Sequence, residues 1–273
     1  MRGLFDVLGA MAAAVLALPL LPTTPARSTE ACHVVASNKP NVHPAAFTPT
    51  ALNDDEVGLT FVGHATFLIE SPHGVRIATD YNGAVRPEIV PDVITMNHAH
   101  PTHYTDYPDP AIKYVLRGWD PNGGAARHDL QVEDVHIRNV PTNIRDWPGG
   151  TEFGGNSIFV FEVADLCIAH LGHLHHPLTS EHLRELGPID VVLAPVDGSW
   201  TMSLDGMMEV LGAIHAPLVV PMHYFSEFTL DRFLARAREQ YAVERNGSPS
   251  TVLSRATLPS RPTVLVLPAQ WGE

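Results

Sequence analysis

The chain has 273 residues, of which 45% are hydrophobic, and a formal net charge of −13. A chain of this length and apolar content can bury the core of one large α/β domain or of two small ones, which excludes wholesale disorder. The acidic balance argues against a nucleic-acid-binding protein, because such proteins normally present a basic face.

The first residues predict an export signal that precedes the folded part. Arg2 stands before an apolar run over residues 8–21, and Thr24, Pro25 and Ala26 follow as a small-residue cleavage site. The run is short for a membrane span, which needs about 20 apolar residues, although an uncleaved N-terminal anchor is the alternative. We therefore expect a periplasmic or secreted protein with no stable membrane insertion after cleavage. The expected divisions are a signal peptide over residues 1–26, a linker or N-terminal arm over 27–56 and a folded domain over 57–273.

Two cysteines are present, Cys32 and Cys167. Cys167 lies in an apolar, strand-like run, where a buried and inert thiol is usual. Cys32 lies in the segment that follows the predicted signal. Export would permit a disulfide between them, but the sequence favours two free thiols.

Strand-like runs dominate the first half of the predicted domain. Runs at residues 59–62, 66–70 and 75–79 predict an antiparallel meander. Further strands are predicted at residues 93–96, 114–116, 135–137, 157–161 and 166–169. The paired glycines at 149–150 and 154–155 are interpreted as turns.

Strands alternate with helices in the second half. Thr179 is predicted to cap a short helix that Gly187 ends. A second helix carries Met208, Leu211 and Ile214 on one face, and a third carries Leu230, Phe233, Leu234 and Ala237 behind a Thr229 cap. Buried strands are expected at residues 191–194, 218–220 and 263–267. The pattern predicts one α/β domain with two sheets and outer helices.

Sixteen histidines are present, and half of them gather in three groups that each follow a strand-like run. The groups are His98, His100 and His103; His170, His173, His175 and His176; and His223. Loops at the carboxyl ends of strands gather ligands in α/β folds, and neutral imidazole is the commonest metal ligand. The groups therefore predict a metal site. The isolated histidines are interpreted as core or surface residues: His33, His43, His73, His128, His136, His182 and His215.

Six short segments, taken in their order along the chain, can be compared with the motifs of known families. They are residues 63–70 (GHATFLIE), 79–80 (TD), 98–103 (HAHPTH), 169–173 (AHLGH), 188–197 (PIDVVLAPVD) and 221–224 (PMHY). The stretch from Gly58 to Phe225 resembles the metallo-β-lactamase superfamily, in particular its branch of ascorbate-phosphate-lactonase-like metal-dependent hydrolases. The resemblance implies an α/β fold, the four-layer αββα sandwich in a single domain, and metal-dependent hydrolysis. It implies metal ligands at His98, His100, His103 and His223.

The departures from that family pattern change the expected chemistry. Thr102 stands where the hallmark loop has an aspartate, and His173 stands where the family has a bridging aspartate. The histidine expected near residues 141–143 is absent. Because carboxylates compensate the charge of two adjacent ions, their loss predicts one ion per chain in an all-imidazole site. Zinc (Zn2+) is the expected ion, with Mn2+, Fe2+ or Ni2+ as alternatives.

The residues are given provisional roles on this basis. His98, His100 and His173 form the expected ligand trio, and His103 and His223 form a second or alternative half-site. One of His170, His175 or His176 binding in place of His173 is left open. Asp80 is expected to orient a ligand from outside the metal sphere, and Asp197 is the candidate general base.

Two functions follow from these assignments. The first is an exported hydrolase that directs a metal-activated water at an ester, lactone, amide or phosphoester of a small-molecule substrate. The second is a non-catalytic metal-binding or ligand-sensing protein that kept the fold after losing the acidic residues. Motifs for a serine nucleophile elbow, a P-loop or a dinucleotide site do not occur. The oligomeric state stays open.

Overall fold

The structure, a computed structural model, describes residues 52–146 and 149–270. Every described residue belongs to one compact unit of the chain. The predicted signal peptide, its cleavage site and almost all of the predicted arm lie outside the described residues. Within the described ranges, no helix has the length and apolar character needed to cross a membrane.

The described residues form two sheets and three α-helices. The strands are β1 (Val57–Gly63), β2 (Thr66–Glu70), β3 (Arg76–Ala78), β4 (Val93–Met96), β5 (Tyr114–Arg117), β6 (Asp129–Val132), β7 (Val135–Asp146), β8 (Gly150–Val163), β9 (Leu166–His170), β10 (Val191–Pro195), β11 (Leu218–Met222), β12 (Ala242–Arg245), β13 (Ser250–Leu253) and β14 (Thr263–Val266). The helices are α1 (Ser180–Leu186), α2 (Leu204–Ile214) and α3 (Glu227–Ala237), and a short 3-10 helix spans Arg255–Thr257.

The first sheet has six strands in the order β13-β1-β2-β3-β4-β5. Strands β1, β2 and β3 pair antiparallel, which confirms the predicted meander. Strands β3, β4 and β5 then run parallel, so the carboxyl ends of these three strands meet at one edge. Strand β13, which the sequence did not predict, extends the sheet beyond β1.

The second sheet has eight strands in the order β12-β14-β11-β10-β9-β8-β7-β6. Strands β9, β10, β11 and β14 are parallel neighbours, and a long antiparallel hairpin of β7 and β8 extends the other side. The parallel part again brings several carboxyl strand ends together. Parallel strands buried on both faces have continuous apolar sequences, as β10 does.

One apolar core joins the two sheets and the helices. It includes Phe61 and Phe67 from the first sheet, Phe159 and Phe161 from the second, and Phe233 from α3. Burying each of these rings stabilises the fold by about 1.5–3 kcal/mol relative to exposing it. Two core-packed sheets with helices confirm the predicted α/β metallo-β-lactamase class of fold.

The helix ends follow capping chemistry, with one correction. Thr179 caps α1 through a capping box in which its hydroxyl accepts from the His182 N–H, and Gly187 ends the helix, both as predicted. The predicted cap of α3 at Thr229 is wrong, because the helix begins earlier, with Ser226 as its N-cap. Ser226 is the better cap since its hydroxyl accepts from the Thr229 N–H.

Two further expectations are corrected by the structure. Gly154 and Gly155 do not form a turn: they lie inside β8, beside a shift in the β7–β8 register. The positive φ of 68° at Gly154 permits this irregularity. Cys167 is buried as expected but is disulfide-bonded, so the predicted free thiol is wrong. Cys32 lies outside the described residues.

Candidate metal centre

The candidate site lies where strands of both sheets end. His64 follows β1 and Asp80 follows β3 in the first sheet, and His98 and His103 lie in the loop after β4. From the second sheet, His173 follows β9, Asp197 follows β10 and His223 follows β11. The fold therefore collects these side chains by bringing carboxyl strand ends together, as expected for α/β proteins.

Three of these residues adopt a backbone conformation that is rare outside glycine. The φ angles are 51° at His64, 43° at Asp80 and 55° at His223. Such residues are held by their surroundings and cluster at functional sites. A short backbone hydrogen bond holds two of them together, because the His223 N–H donates to the His64 carbonyl at 2.7 Å.

His103 is the most firmly oriented imidazole of the site. Its Nδ1–H donates to Asp80 Oδ2 at 2.7 Å, and both side chains are fully buried. Asp80 Oδ1 in turn accepts from the Asn97 N–H at 2.9 Å. Burial raises the pKa of the Asp80 carboxyl to about 6, against the opposing effects of nearby His170 and the Asn97 N–H. A carboxylate on Nδ1 leaves the lone pair of His103 Nε2 facing the site, which is the contact that the predicted orienting role of Asp80 requires.

The distances from His103 Nε2 to two neighbouring imidazole nitrogens distinguish a metal-ligand spacing from a shorter contact. Zinc–nitrogen bonds of about 2.0–2.1 Å at a tetrahedral angle put two ligand nitrogens about 3.3 Å apart. His103 Nε2 lies 3.2 Å from His223 Nε2, which matches this spacing. It lies 2.8 Å from His173 Nδ1, which is shorter than that spacing.

The histidines that best fit a metal ion are His64, His103 and His223. Their ligand nitrogens all lie within 4.8 Å of one another. The buried Nε2 of His64 has no hydrogen-bond partner among the described residues, and such an orphaned atom points to a missing ligand. Burial lowers the pKa of His64 to about 3. Burial and the neighbouring His223 together hold the pKa of His103 well below its ordinary range. The imidazoles of His64 and His103 are therefore neutral and able to donate to an ion, and a set of three imidazoles fits zinc.

His98 and His100 form an outer part of the cluster. His98 Nδ1–H donates to the Gly155 carbonyl at 2.7 Å, which leaves its Nε2 as the free nitrogen. His100 is exposed, and its Nδ1 is hydrogen-bonded to the Thr102 hydroxyl at 3.0 Å. The two rings are nearly parallel, with centroids 6.3 Å apart, and the His173 ring lies 5.3 Å from that of His98.

The structure thus brings all five sequence-predicted metal ligands into one cluster, and the predicted trio of His98, His100 and His173 stays a prediction. Sequence reasoning gave no role to His64. The signal was present, because Gly63-His64 opens the first family-like segment and ends a strand.

Two other histidines are occupied by contacts that remove them from the ligand set. His170 Nε2–H donates to the Ala65 carbonyl at 2.8 Å, so its Nδ1 must accept, and it does so from the Gly172 N–H. His175 Nδ1 accepts from the Arg145 N–H at 2.9 Å, which places the ring proton on Nε2. That Nε2–H is buried without a partner among the described residues, so it is a donor that lacks an acceptor.

Asp197 has the surroundings of a fixed carboxylate. Its Oδ2 lies 3.1 Å from His223 Nδ1 and accepts from the Thr201 hydroxyl, while its Oδ1 accepts from the Ser199 N–H at 2.8 Å. Burial alone would raise its pKa, but the contacts with His223 and Thr201 outweigh burial and hold the pKa below its ordinary value. The predicted role of Asp197 as general base stays a prediction.

Gly172 allows the loop after β9 to pass close to two asparagines. An added Cβ would lie 2.6 Å from Asn156 Oδ1 and from Asn97 Cβ, and φ is 61°. Asn156 Oδ1 accepts from the His173 N–H at 2.8 Å, and Asn97 Nδ2 lies 3.1 Å from His170 Nδ1. The position of His173 therefore depends on this close packing.

We expect Gly172→Ala to lower the free energy of unfolding by about 2–4 kcal/mol, from left-handed backbone strain and overpacking together. Urea unfolding measures this. The matched control is Gly212→Ala in α2, where an added Cβ meets nothing within 4 Å. That control should be neutral or stabilising by about 0.5–1 kcal/mol. Equal midpoints for the two variants would contradict the packing argument.

Comparison with known proteins decides the family. The family described as "Beta-lactamase superfamily domain" matches residues 58–223, more than half of the chain. The chain belongs to the metallo-β-lactamase superfamily. UPF0173 metal-dependent hydrolases are similar to it: that of Salinibacter ruber is 27% identical over 199 residues, covering 61% of this chain and 84% of the relative. That of Pyrococcus horikoshii is 30% identical over 190 residues, covering 62% and 84%.

Solved structures of the superfamily agree. A protein from Thermotoga maritima, assigned as a Zn-dependent hydrolase of the metallo-β-lactamase superfamily, is 30% identical with a TM-score of 0.59, covering 78% of this chain and all of that one. CmlA, a diiron β-hydroxylase from Streptomyces venezuelae, is 11% identical with a TM-score of 0.51, covering 74% of this chain and 55% of CmlA, which shows the fold alone. The hydrolase relatives make this chain a metal-dependent hydrolase of the superfamily, with a small-molecule substrate implied.

The family departures have visible settings in this metallo-β-lactamase fold. Thr102 is exposed on the His98–His103 loop, where its hydroxyl contacts His100. Asn143 occupies the segment where the family pattern has a histidine, and its Oδ1 accepts from the Gly154 N–H. Neither side chain adds a carboxylate to the cluster.

Proposed function

We propose that this chain is an exported hydrolase that holds one metal ion through His64, His103 and His223. We propose zinc as the ion and an ester, lactone, amide or phosphoester of a small molecule as the substrate. The observation that carries the proposal is the 3.2 Å spacing of His103 Nε2 and His223 Nε2, with His103 Nδ1 fixed by buried Asp80. The family match supports the reaction class.

When bound, the ion supplies Lewis-acid chemistry, which polarises a substrate oxygen and makes water acidic enough to react near neutral pH. Three protein donors, rather than four, is the pattern of catalytic rather than structural zinc sites.

The other polar side chains of the site orient the proposed ligands or donate hydrogen bonds. Asp80 holds the His103 ring. Asp197 lies against His223 and organises the loop that follows β10, and its role as general base stays a prediction. His175 offers its buried Nε2–H to a substrate oxygen, because its other nitrogen is committed to the Arg145 N–H. Donors fixed before the substrate arrives stabilise charge that develops during the reaction.

The test of the proposed function is hydrolysis of a panel of p-nitrophenyl esters, γ-lactones and bis(p-nitrophenyl) phosphate. Activity should disappear after dialysis against a chelator and return on adding zinc. Parallel restoration with Mn2+, Fe2+ and Ni2+ ranks the alternative metals. Activity that survives chelation would contradict the proposal. A fully metal-loaded protein without turnover on the panel would favour the non-catalytic, metal-binding function, for which the lost carboxylates at Thr102 and His173 are the argument.

Export has its own test. The expected mature protein begins at Arg27, because Ala26 completes the small-residue cleavage site. Mass spectrometry of the protein recovered from a secreting host should give that N-terminus. An intact Met1 on exported protein would contradict cleavage.

A further inference from the structure

Large aromatic side chains stand exposed on the loops that carry the metal-site residues. Trp200 is 70% exposed, Phe225 is 54% exposed and Phe228 is 73% exposed. Trp200 lies three residues after Asp197, and Phe225 lies two residues after His223. Contiguous exposed apolar surface is unusual on soluble proteins and marks binding sites, above all beside convergent polar groups.

The Phe225 ring is continuous with the proposed metal centre. Its centroid lies 5.4 Å from that of His223, edge-on at 73°, and 5.7 Å from that of His64 at 38°. One part of the ring thus packs against two of the proposed ligands while about half of the residue remains exposed. A group held at the metal centre by these histidines would have Phe225 as its immediate apolar neighbour.

The exposure of Trp200 is imposed by a loop that is fixed from two directions. On one side, Asp197 Oδ1 accepts from the Ser199 and Trp200 N–H groups. On the other side, the Arg145 guanidinium donates to the carbonyls of Ser199 and Thr201. Thr201 itself is fully buried. The indole therefore stays outside while its neighbour is inside, and Asp197 ties this loop to His223.

Arg145 takes part in these contacts. One guanidinium nitrogen, Nη2, donates to both carbonyls, so Arg145 supports the loop that carries Trp200. The exposed side chains of Trp200 and Phe225 present an aromatic surface beside the site.

We infer that the substrate carries an apolar group, an acyl chain or an aromatic ring, which packs between Phe225 and Trp200 beside the metal centre. This inference rests on the proposed function and names its substrate class: a hydrophobic ester, lactone, amide or phosphoester. Phe225 and Trp200 are specificity-determining residues. Phe228, which is also exposed, lies in the first turn of α3, three residues beyond Phe225.

The experiment compares the binding of octanoate and acetate by isothermal titration calorimetry, with zinc-loaded and with chelator-treated protein. Both probes have the same carboxylate, so the ratio of their dissociation constants isolates the apolar chain. Octanoate should bind more tightly than acetate. Phe225→Ser and Trp200→Ser should each reduce that ratio by about tenfold, since each removes part of the apolar contact.

The matched control is Tyr114→Ser. Tyr114 is an exposed aromatic residue, 38% exposed, at the start of β5, which is the end of the parallel strands away from the site. The control should leave the ratio unchanged. An unchanged ratio in both Phe225→Ser and Trp200→Ser would overturn the inference. A second outcome would also overturn it: the two variants lose binding to phosphatidylcholine vesicles while the ratio of the octanoate and acetate dissociation constants stays unchanged. The aromatic surface would then serve a lipid bilayer.

Failure of the inference is distinguishable from failure of the proposed function. Metal-dependent hydrolysis together with an unchanged binding ratio would overturn only the apolar contact. A lowered ratio in the two variants supports the apolar contact, whether or not the panel substrates are hydrolysed.

Discussion

Replacing His103 with Ala is expected to remove the bound metal and, with it, hydrolysis. His103 is fully buried, is oriented by Asp80 and has its Nε2 3.2 Å from that of His223, so its loss removes the central donor of the proposed set. Metal analysis of the purified variant should fall from about one ion per chain to near zero, as expected when one donor of a three-histidine site is lost. Activity on any panel substrate should fall with it.

Two companion variants sharpen this result. Asp80→Asn keeps the shape of the side chain but removes the charge that orients His103, and it should weaken metal binding by about 10–100-fold without abolishing it. His98→Ala separates the two candidate ligand sets, because His98 belongs to the sequence-predicted trio and not to the proposed one. We expect metal to be retained in His98→Ala. Full metal in His103→Ala, with loss in His98→Ala, would reverse the assignment in favour of His98, His100 and His173.

Chelation is expected to lower the melting temperature of the protein. An ion that binds the folded protein and not the unfolded chain adds about 2.7 kcal/mol at a free concentration near 100 times its dissociation constant. For a chain of this size, that corresponds to a shift of about 5–10 °C. Differential scanning calorimetry, with zinc in excess and then with chelator, measures the shift.

The control for the thermal shift is His103→Ala. Its melting temperature should be the same with zinc and with chelator, because it lacks the central donor. A shift in His103→Ala equal to that in the unmodified protein would place the stabilising ion elsewhere. The comparison also separates loss of metal from loss of packing, since packing losses appear in both conditions.

Much of the fold was predictable because it depends on local patterns. The β1–β3 meander, the Thr179 capping box of α1 and the apolar run of β10 each follow from a few adjacent residues. Strands β6, β12 and β13 were missed because each is a partly exposed edge strand of only four residues. Their existence depends on pairing with distant partners, as β13 pairs with β1. A single-sequence pattern does not contain that pairing.

The site was predictable as a collection of residues but not as a geometry. The clustering of histidines after strands predicted which side chains meet. Asp80 was expected to orient a ligand, but its partner His103 was not predicted. The tautomers were not predictable, because they depend on partners far along the chain, such as the Arg145 N–H that occupies His175 Nδ1. His64 was missed although it lies in the first family-like segment, because its left-handed backbone and its contact with His223 appear only in three dimensions.

The backbone hydrogen bond from His223 to His64 has a mechanical consequence. His64 follows a strand of the first sheet and His223 follows a strand of the second, so the proposed ion would connect the two sheets. An ion held by both acts as a reversible crosslink in the folded protein, which joins two segments that lie far apart along the chain while the ion is bound. Strand ends that could otherwise separate by fraying would then open only together, which makes amide hydrogen exchange at the ends of β1 and β11 a direct reporter of metal occupancy.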